Sequence, residues 1–160
     1  MPVQCFFSLN KQPISTLSCI GLGAMPAFSG KPGYVNDPDK ASAIDKGPLP
    51  PGRYYIVSRQ SGGRLGWLRD WVKDQVSHVH HDDWFALYRN DGVIDDWTFI
   101  AGVRRGNFRL HPNGRFGVSE GCITLTHPDN FNRLRAFLLV QPPATIPGTN
   151  IRYFGTVDVR

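Results

Sequence analysis

The sequence lacks any long hydrophobic run. No stretch approaches the roughly 18 consecutive apolar residues that a membrane-spanning helix needs, so we expect no membrane insertion. The first residues also lack the basic start and the apolar core of a secretory signal peptide. The apolar segment at residues 4–9 is too short for either role and is read as a strand. We therefore expect a protein that is made in the cytoplasm without a signal peptide.

Charge is also scarce. Charged residues make up 19% of the chain and apolar residues 41%, which excludes intrinsic disorder as a class. The net charge is +5, but Lys and Arg are scattered and no nucleic-acid-binding motif accompanies them, so we expect no nucleic-acid partner. A length of 160 residues suits a single domain, residues 1–160, with one sizeable core.

Cysteine is limited to three residues, an odd count. Cys5 and Cys19 lie in the first two apolar segments, where they could meet across a hairpin. A disulfide between them would suit an oxidising periplasm, whereas two free thiols would suit the cytoplasm of the producing cell. The sequence leaves both states open.

Turn residues, by contrast, are abundant. The chain has 17 Gly and 13 Pro, which favours short strands joined by turns and long loops. We predict a mainly β fold of about eight short strands, arranged as a sandwich or a partly closed barrel with two short helices. Helices are expected at residues 64–76 and directly after Thr126. Residues 21–46 are predicted to be an irregular loop, either a wall over the cleft or an inert surface segment.

Two clusters of acidic residues and histidines invite a chemical interpretation. Residues 77–83 contain three His and two Asp, but consecutively and without the separated elements of a closed zinc site. We predict a polar loop there, and neither a metal site nor a cofactor. Asp95 and Asp96 are adjacent, so on a strand they would point to opposite faces rather than act as a catalytic pair.

The chemistry is concentrated in residues 108–125. Two apolar runs flank a loop at residues 112–120, with His111 at the end of the first run and Cys122 at the start of the second. Strands bent back by such a loop would bring the imidazole close to the thiol. A thiol needs a base or a positive neighbour to become the thiolate that attacks a carbonyl carbon.

A single cysteine in a β-rich domain is more often a small core residue than a nucleophile. That alternative does not explain a histidine upstream, a Ser-Xaa-Gly directly before the thiol, and two apolar strands presenting both. The sequence therefore predicts a cysteine active site, with Cys122 as the nucleophile and His111 as its base.

Further residues are assigned supporting roles. Gly121 permits a tight turn, so that the amides of Gly121 and Cys122 can face a developing oxyanion. Either Ser119 or a backbone carbonyl of residues 112–114 orients the imidazole. Arg109 and Glu120 are candidate substrate-binding residues. Arg109 shares a strand face with His111 and would pair with a substrate carboxylate, or else it forms a structural ion pair, for instance with Glu120.

These residues carry a family resemblance. Ser-Glu-Gly-Cys-Ile-Thr-Leu at residues 119–125 resembles the Ser/Thr-His-Gly-Cys signature of L,D-transpeptidases with the YkuD-type catalytic domain. Together with Asn-Phe-Arg-Leu-His-Pro at residues 107–112, it is more similar to the L,D-transpeptidase-like effectors that type VI secretion systems export against rival bacteria. Residues 47–56 and 83–88 fit the same branch. Glu120 stands where housekeeping enzymes carry His, and Thr124 where they usually carry Arg or Asn.

The resemblance implies a sandwich-like L,D-transpeptidase fold and a cysteine enzyme that modifies peptidoglycan stem tetrapeptides. The reaction would be L,D-carboxypeptidase cleavage or L,D-transpeptidase exchange, in the periplasm of a target cell. The implied partners are peptidoglycan stem peptides, a periplasmic immunity protein, and spike or tube components of the secretion system.

Three other functions are weighed against this one. A housekeeping L,D-transpeptidase would share the site, and a non-catalytic wall-binding module would not need Cys122. A papain-like or NlpC-type endopeptidase places Cys before His, and here His127 alone follows Cys122, at a predicted helix start.

Overall fold

Eight strands close into one β-barrel in the computed structural model, which describes residues 2–58, 84–114 and 121–160. The strands are β1 (Val3–Phe7), β2 (Ser15–Cys19), β3 (Gly23–Phe28), β4 (Gly52–Ser58), β5 (Phe85–Arg89), β6 (Trp97–Ile100), β7 (Val103–Gly106), β8 (Arg109–Pro112), β9 (Ile123–Leu125), β10 (Ala144–Thr145), β11 (Arg152–Tyr153) and β12 (Gly155–Val159). The helices are a 3₁₀ turn (Pro38–Lys40) and α1 (Pro128–Leu139). The barrel order is β1, β12, β4, β5, β8, β9, β3 and β2, and β2 pairs back onto β1. The β6–β7 and β10–β11 pairs form separate two-stranded ribbons.

The β1–β2 hairpin illustrates how alternation builds the barrel. Val3, Cys5 and Phe7 are buried, whereas Gln4 between them is exposed, the period of two that a half-buried strand shows. Cys5 lies directly opposite Cys19, and the two form a disulfide whose Cα atoms are 4.1 Å apart. Of the two thiol states that the sequence allows, the structure therefore has the disulfide.

The helix α1 contributes to the barrel core. Phe131, Leu134 and Leu138 are buried in the same apolar cluster as the inward residues of the strands, and their spacing places them along one face of a helix. This stripe was predicted correctly. Pro128 and Asp129 also lie in the first turn as predicted, but the hydroxyl cap was wrong, because the capping residue is His127 and it makes no side-chain cap hydrogen bond. The hydroxyl of Thr126 instead donates to the carbonyl of Pro26 at 3.3 Å, which ties the segment to β3.

A second apolar cluster covers the outer face of β4 and β5. Tyr55, Val57, Ala86, Tyr88 and Ile146 form this cluster, whereas the alternate residues of the same strands belong to the barrel core. Both faces of these strands are consequently buried, which explains their nearly continuous apolar sequence. Burial raises the pKa of Tyr88 to about 12.

The segment predicted as one irregular loop, residues 21–46, is only partly irregular. Residues 23–28 form β3, which pairs with the whole of β2 through residues 23–27 and with β9 at its end. The glycine and the proline within this strand concealed it, although Met25 and Ala27 show the buried alternation of a barrel strand. The remainder is a loop that contains the 3₁₀ turn, which Asp37 caps by accepting from the backbone N–H of Asp39.

The predicted fold class is confirmed, since the protein is mainly β and its barrel is closed rather than partly open. The helix expected at residues 64–76 and the histidine-rich run at residues 77–83 lie outside the described residues. In the part of the chain that the structure describes, no helix has both the length and the apolarity to span a membrane.

Candidate active site

The site is built on two neighbouring barrel strands, β8 and β9. They run parallel, with Leu110 opposite Ile123 and His111 opposite Thr124, and Cys122 immediately precedes β9. The prediction that the second strand bends back along the first is thus wrong, because β8 and β9 run in the same direction. The imidazole lies opposite Thr124, two residues along the strand from the thiol-bearing residue.

The reactive side chains lie on the outer wall of the barrel. Leu110 and Ile123 belong to the barrel core, so His111 and Thr124, which alternate with them, face the opposite side of the sheet. His111 is nevertheless only 4% exposed, Thr124 0% and Cys122 1%. The site is therefore sheltered from water by chain packed over the outside of the barrel.

The imidazole of His111 is held on three sides. Nδ1 lies 2.7 Å from the carbonyl oxygen of Pro112, which can only accept, so Nδ1 carries the proton. In the neutral imidazole Nε2 is then the unprotonated nitrogen, and the Thr124 hydroxyl, 3.3 Å away, is placed to donate to it. The ring of Trp84 stacks on the imidazole with centroids 4.5 Å apart and planes 22° from parallel. This arrangement suits a neutral imidazole whose Nε2 is able to take a proton.

Two groups had been considered for orienting the imidazole. The carbonyl of Pro112 contacts Nδ1 and belongs to the backbone alternative, whereas Ser119 lies outside the described residues, as does Glu120. The contact of Thr124 with Nε2 was missed, because the sequence singled out Thr124 only as a departure from a signature. Its position two residues after Cys122, on the same face of β9, was the available signal.

Cys122 is not part of the disulfide, and its thiol is buried. Its Sγ donates to the carbonyl of Asn107 at 3.8 Å. Gly121 before it has a φ of 95°, a left-handed conformation that favours glycine. The predicted role of the Gly121 and Cys122 amides toward an oxyanion stays a prediction.

Arg109 is buried and forms an ion pair. Its Nη1 donates to Oδ1 of Asp96 at 2.8 Å, and the two side chains are only 2% and 11% exposed. Of the alternatives for Arg109, the structure has the ion pair, with Asp96 as its partner. The neighbouring Asp95 is exposed and accepts from the backbone N–H of Trp97, so the two carboxylates diverge as predicted.

A different arginine lies beside Gly121, the residue before Cys122. Arg105 on β7 is 3% exposed, and its Nη2 approaches Gly121 so closely that a Cβ added there would be 2.4 Å away. Burial lowers the pKa of Arg105, while interaction with the ionised forms of Tyr54, Asp45 and Cys122 would raise it. No feature of the sequence had indicated this residue.

Two other chemistries find no support in the described part of the chain. His127, the histidine that a papain-like order would require, is exposed at the start of α1. Across residues 2–58, 84–114 and 121–160, no three His, Cys, Asp or Glu side chains form a group that could hold a metal ion.

Comparison with protein-family models gives one finding for this chain. The model of the Tlde1 domain matches residues 23–149, which is most of the chain and includes β8, β9 and the site between them. No curated protein and no solved structure matches the chain.

Proposed function

The chain belongs to the Tlde1 domain family, a family of antibacterial type VI secretion effectors, and on that premise we propose that it is a peptidoglycan-modifying cysteine enzyme. As an effector of this family it is delivered into target cells by the secretion machinery, and a producer needs an immunity protein against it. The proposed substrates are stem tetrapeptides of the cell wall, and the proposed site of action is the periplasm of the target cell.

One observation carries the proposal. A thiol outside the disulfide lies directly before β9, the imidazole of His111 lies on the adjacent strand β8, and both side chains are shielded from water. Shielding strengthens electrostatic interactions between such groups. A purely structural cysteine would not require a histidine that is oriented by a carbonyl, a hydroxyl and an aromatic ring together.

Acylation begins with the transfer of the thiol proton from Cys122 to Nε2 of His111. The thiolate attacks the carbonyl carbon of the third stem residue, and a tetrahedral oxyanion forms. In the L,D-transpeptidase family that the sequence resembles, this third residue is meso-diaminopimelate. The amides of Gly121 and Cys122 are proposed to donate to that oxygen. The intermediate then collapses, the amide bond breaks, and the terminal D-alanine leaves as an amine with the proton from Nε2.

The resulting thioester reacts in one of two ways, and each regenerates the Cys122 thiol. Attack by water, deprotonated by His111, releases a tripeptide with a free carboxylate, and the net reaction is an L,D-carboxypeptidase reaction. Attack by the amine of a D-amino acid or of another stem forms a new amide bond, and the net reaction is exchange. In both cases the proton returns to the Cys122 sulfur.

The test is incubation of the purified protein with defined muropeptides, followed by mass analysis of the products. We expect loss of the terminal D-alanine, or its exchange when a D-amino acid is supplied. Cys122→Ala and His111→Ala should each abolish the products while circular dichroism remains unchanged. His127→Ala is the matched control, since it removes an exposed histidine outside the site and should retain full activity.

Wild-type turnover by Cys122→Ala would show that another group is the nucleophile. Tight binding of muropeptides without any change in their mass would instead favour the wall-binding module.

A further inference from the structure

The β6–β7 ribbon presents its two arginines to opposite sides. Arg104 is exposed and lies over the Trp97 ring, 3.8 Å from its centroid. Arg105, the next residue, must point to the other face of the strand, where it is buried. The ribbon therefore inserts one guanidinium into the region of the active site and leaves the other in solvent.

The buried guanidinium of Arg105 is held by neutral acceptors. Its Nη1 donates to the carbonyls of Ala41 at 2.6 Å and Pro48 at 2.7 Å, and its Nη2 donates to the carbonyl of Gly47 at 3.0 Å. Within residues 2–58, 84–114 and 121–160, no carboxylate forms an ion pair with it. A buried charge is usually paired with an opposite charge, as Arg109 is with Asp96.

The loop that supplies these carbonyls is shaped for this contact. A Cβ added at Gly47 would lie 2.2 Å from the Lys40 carbonyl and 3.2 Å from Nη1 of Arg105. Because no side chain fits there, the loop closes tightly and turns its carbonyl oxygens toward the arginine. Carbonyl dipoles fix the guanidinium without cancelling its charge, whereas a carboxylate partner would cancel it.

The retained charge is directed at the thiol-bearing segment. A Cβ added at Gly121 would meet Nη2 of Arg105 at 2.4 Å and the Phe108 ring at 3.2 Å, so only glycine permits the approach. Cys122 is the next residue, and a negative charge on its sulfur raises the pKa of Arg105. The same interaction must favour the thiolate reciprocally, because a nearby cation stabilises an anion.

We propose that Arg105 is the cation that stabilises the thiolate of Cys122, an inference that rests on the proposed cysteine chemistry. A thiol that is buried beside the carbonyl of Asn107 would otherwise keep its proton, since burial disfavours the charged form. Arg105 acts through Cys122 and is therefore a positioning residue. It explains how a neutral imidazole can deprotonate a sheltered thiol.

The other charged or titratable groups near this pair in the described chain do not replace Arg105. His111 acts as the proposed base only in its neutral form, and Arg109 is paired with Asp96. Tyr54 and Asp45 act on the guanidinium itself. Burial raises the pKa of Tyr54, so its hydroxyl is uncharged at neutral pH.

The test measures the pKa of the Cys122 thiol. Since Cys5 and Cys19 are joined, Cys122 is the one titrating thiol, and the thiolate absorbance of wild type minus Cys122→Ala isolates it from tyrosine ionisation. In the wild type the thiol pKa should lie below its ordinary value of about 8.5. In Arg105→Gln, thiolate at neutral pH and the rate of iodoacetamide labelling should fall about tenfold or more, and Arg105→Lys should recover most of the loss.

Arg104→Gln is the matched control and should leave the thiol pKa unchanged. The kcat/KM of Arg105→Gln on muropeptides should fall at neutral pH and recover as the pH rises, which a merely structural defect would not produce. An Arg105→Gln thiol that titrates like the wild type would overturn the inference. If that variant does not fold, titration of the wild-type protein tests the inference by itself. A Cys122 thiol pKa above its ordinary value in the wild type would also overturn the inference.

The inference and the proposed function fail separately. Thiol titration uses no substrate, so an Arg105-dependent pKa without muropeptide products would refute the enzyme and leave the cation in place. Muropeptide turnover with a thiol pKa that is independent of Arg105 would do the reverse.

Discussion

The hydroxyl of Thr124 faces the lone pair on Nε2 of His111, the proposed base. It contacts Nε2 of His111, and with Nδ1 donating to Pro112 both ring nitrogens have defined partners. A thiol proton that reaches Nε2 must therefore either pass by way of this hydroxyl or displace it. Thr124 stands where the housekeeping L,D-transpeptidases usually carry Arg or Asn. It contacts the imidazole that is the proposed base.

Thr124→Val keeps the shape of this side chain and removes the hydroxyl. We expect kcat to fall on the order of tenfold, part of the 10²–10⁴ that a well-positioned base contributes. The free energy of unfolding should fall by about 1 kcal/mol, the usual net value of one hydrogen bond. Thr124→Ser, which retains the hydroxyl, is the control, and steady-state kinetics with urea unfolding measure both effects. Equal kcat values for Val and Ser variants would exclude a role for the hydroxyl.

Two buried arginines on consecutive strands have different kinds of partner. Arg109 on β8 is neutralised by Asp96, whereas Arg105 on β7 is surrounded by carbonyls. The first arrangement stabilises the packing of the β6–β7 ribbon against the barrel. The second arrangement leaves the positive charge of Arg105 uncancelled, so that it can stabilise the proposed thiolate.

At the level of elements, the Asp96–Arg109 pair fastens the β6–β7 ribbon to β8. Asp96→Ala leaves a buried guanidinium without its carboxylate, and breaking a buried pair costs about 3–5 kcal/mol. Asp95→Ala is the matched control, because Asp95 is exposed and accepts one backbone N–H, so it should cost less than about 1 kcal/mol. Urea unfolding compares the two variants, and equal losses would show that the pair is not what holds the ribbon.

The β1–β2 hairpin closes the barrel and carries the disulfide. Joining Cys5 to Cys19, which are 14 residues apart, restricts the unfolded chain and should contribute about 3 kcal/mol. Reductant should therefore lower the urea midpoint of the wild type and of Cys122→Ala. The Cys5→Ser/Cys19→Ser variant should be less stable and unaffected by reductant. If a reductant is shown to break the disulfide and the urea midpoint of the wild type does not change, this expectation is contradicted.

Considered as a whole molecule, the protein combines a closed barrel with a site on its outer wall. Strand β8 carries the proposed base, the proposed nucleophile directly precedes β9, and the β6–β7 ribbon and residues 41–48 position the proposed cation. A disulfide-stabilised barrel suits an effector whose proposed place of action is an oxidising periplasm.

Compartment should decide toxicity. Expressed in the cytoplasm, the protein should be harmless, because the wall lies across the membrane. Fused to a periplasmic export signal, it should slow growth and swell or deform cells as stem tetrapeptides are trimmed or exchanged. Exported Cys122→Ala, at matched abundance, is the control and should have no effect.

Growth curves, microscopy and muropeptide profiles measure these outcomes together. Coexpression of a periplasmic immunity protein from a producer should restore growth. Exported active protein that accumulates without harm and without altering the muropeptides would refute toxicity by wall modification and favour a binding role.

Local pattern in the sequence was enough for several features. The mainly β class followed from apolar alternation and turn residues, and the buried stripe of α1 followed from the spacing of Phe131, Leu134 and Leu138. The selection of Cys122 and His111 as nucleophile and base also rested on a short motif, and it stays a prediction. Each of these depends on residues close together in the chain, where the periods of strand and helix directly determine which side chains share a face.

Tertiary structure alone decided the rest of the site. The parallel pairing of β8 with β9, the choice of Asp96 as the partner of Arg109, and the disulfide each depend on which segments pack together. Arg105 is the clearest case, because the carbonyls that hold it come from positions 57 to 64 residues away. Backbone carbonyls are the same for every amino acid, so no pattern of side chains could have indicated that they surround a charge and direct it at a thiol.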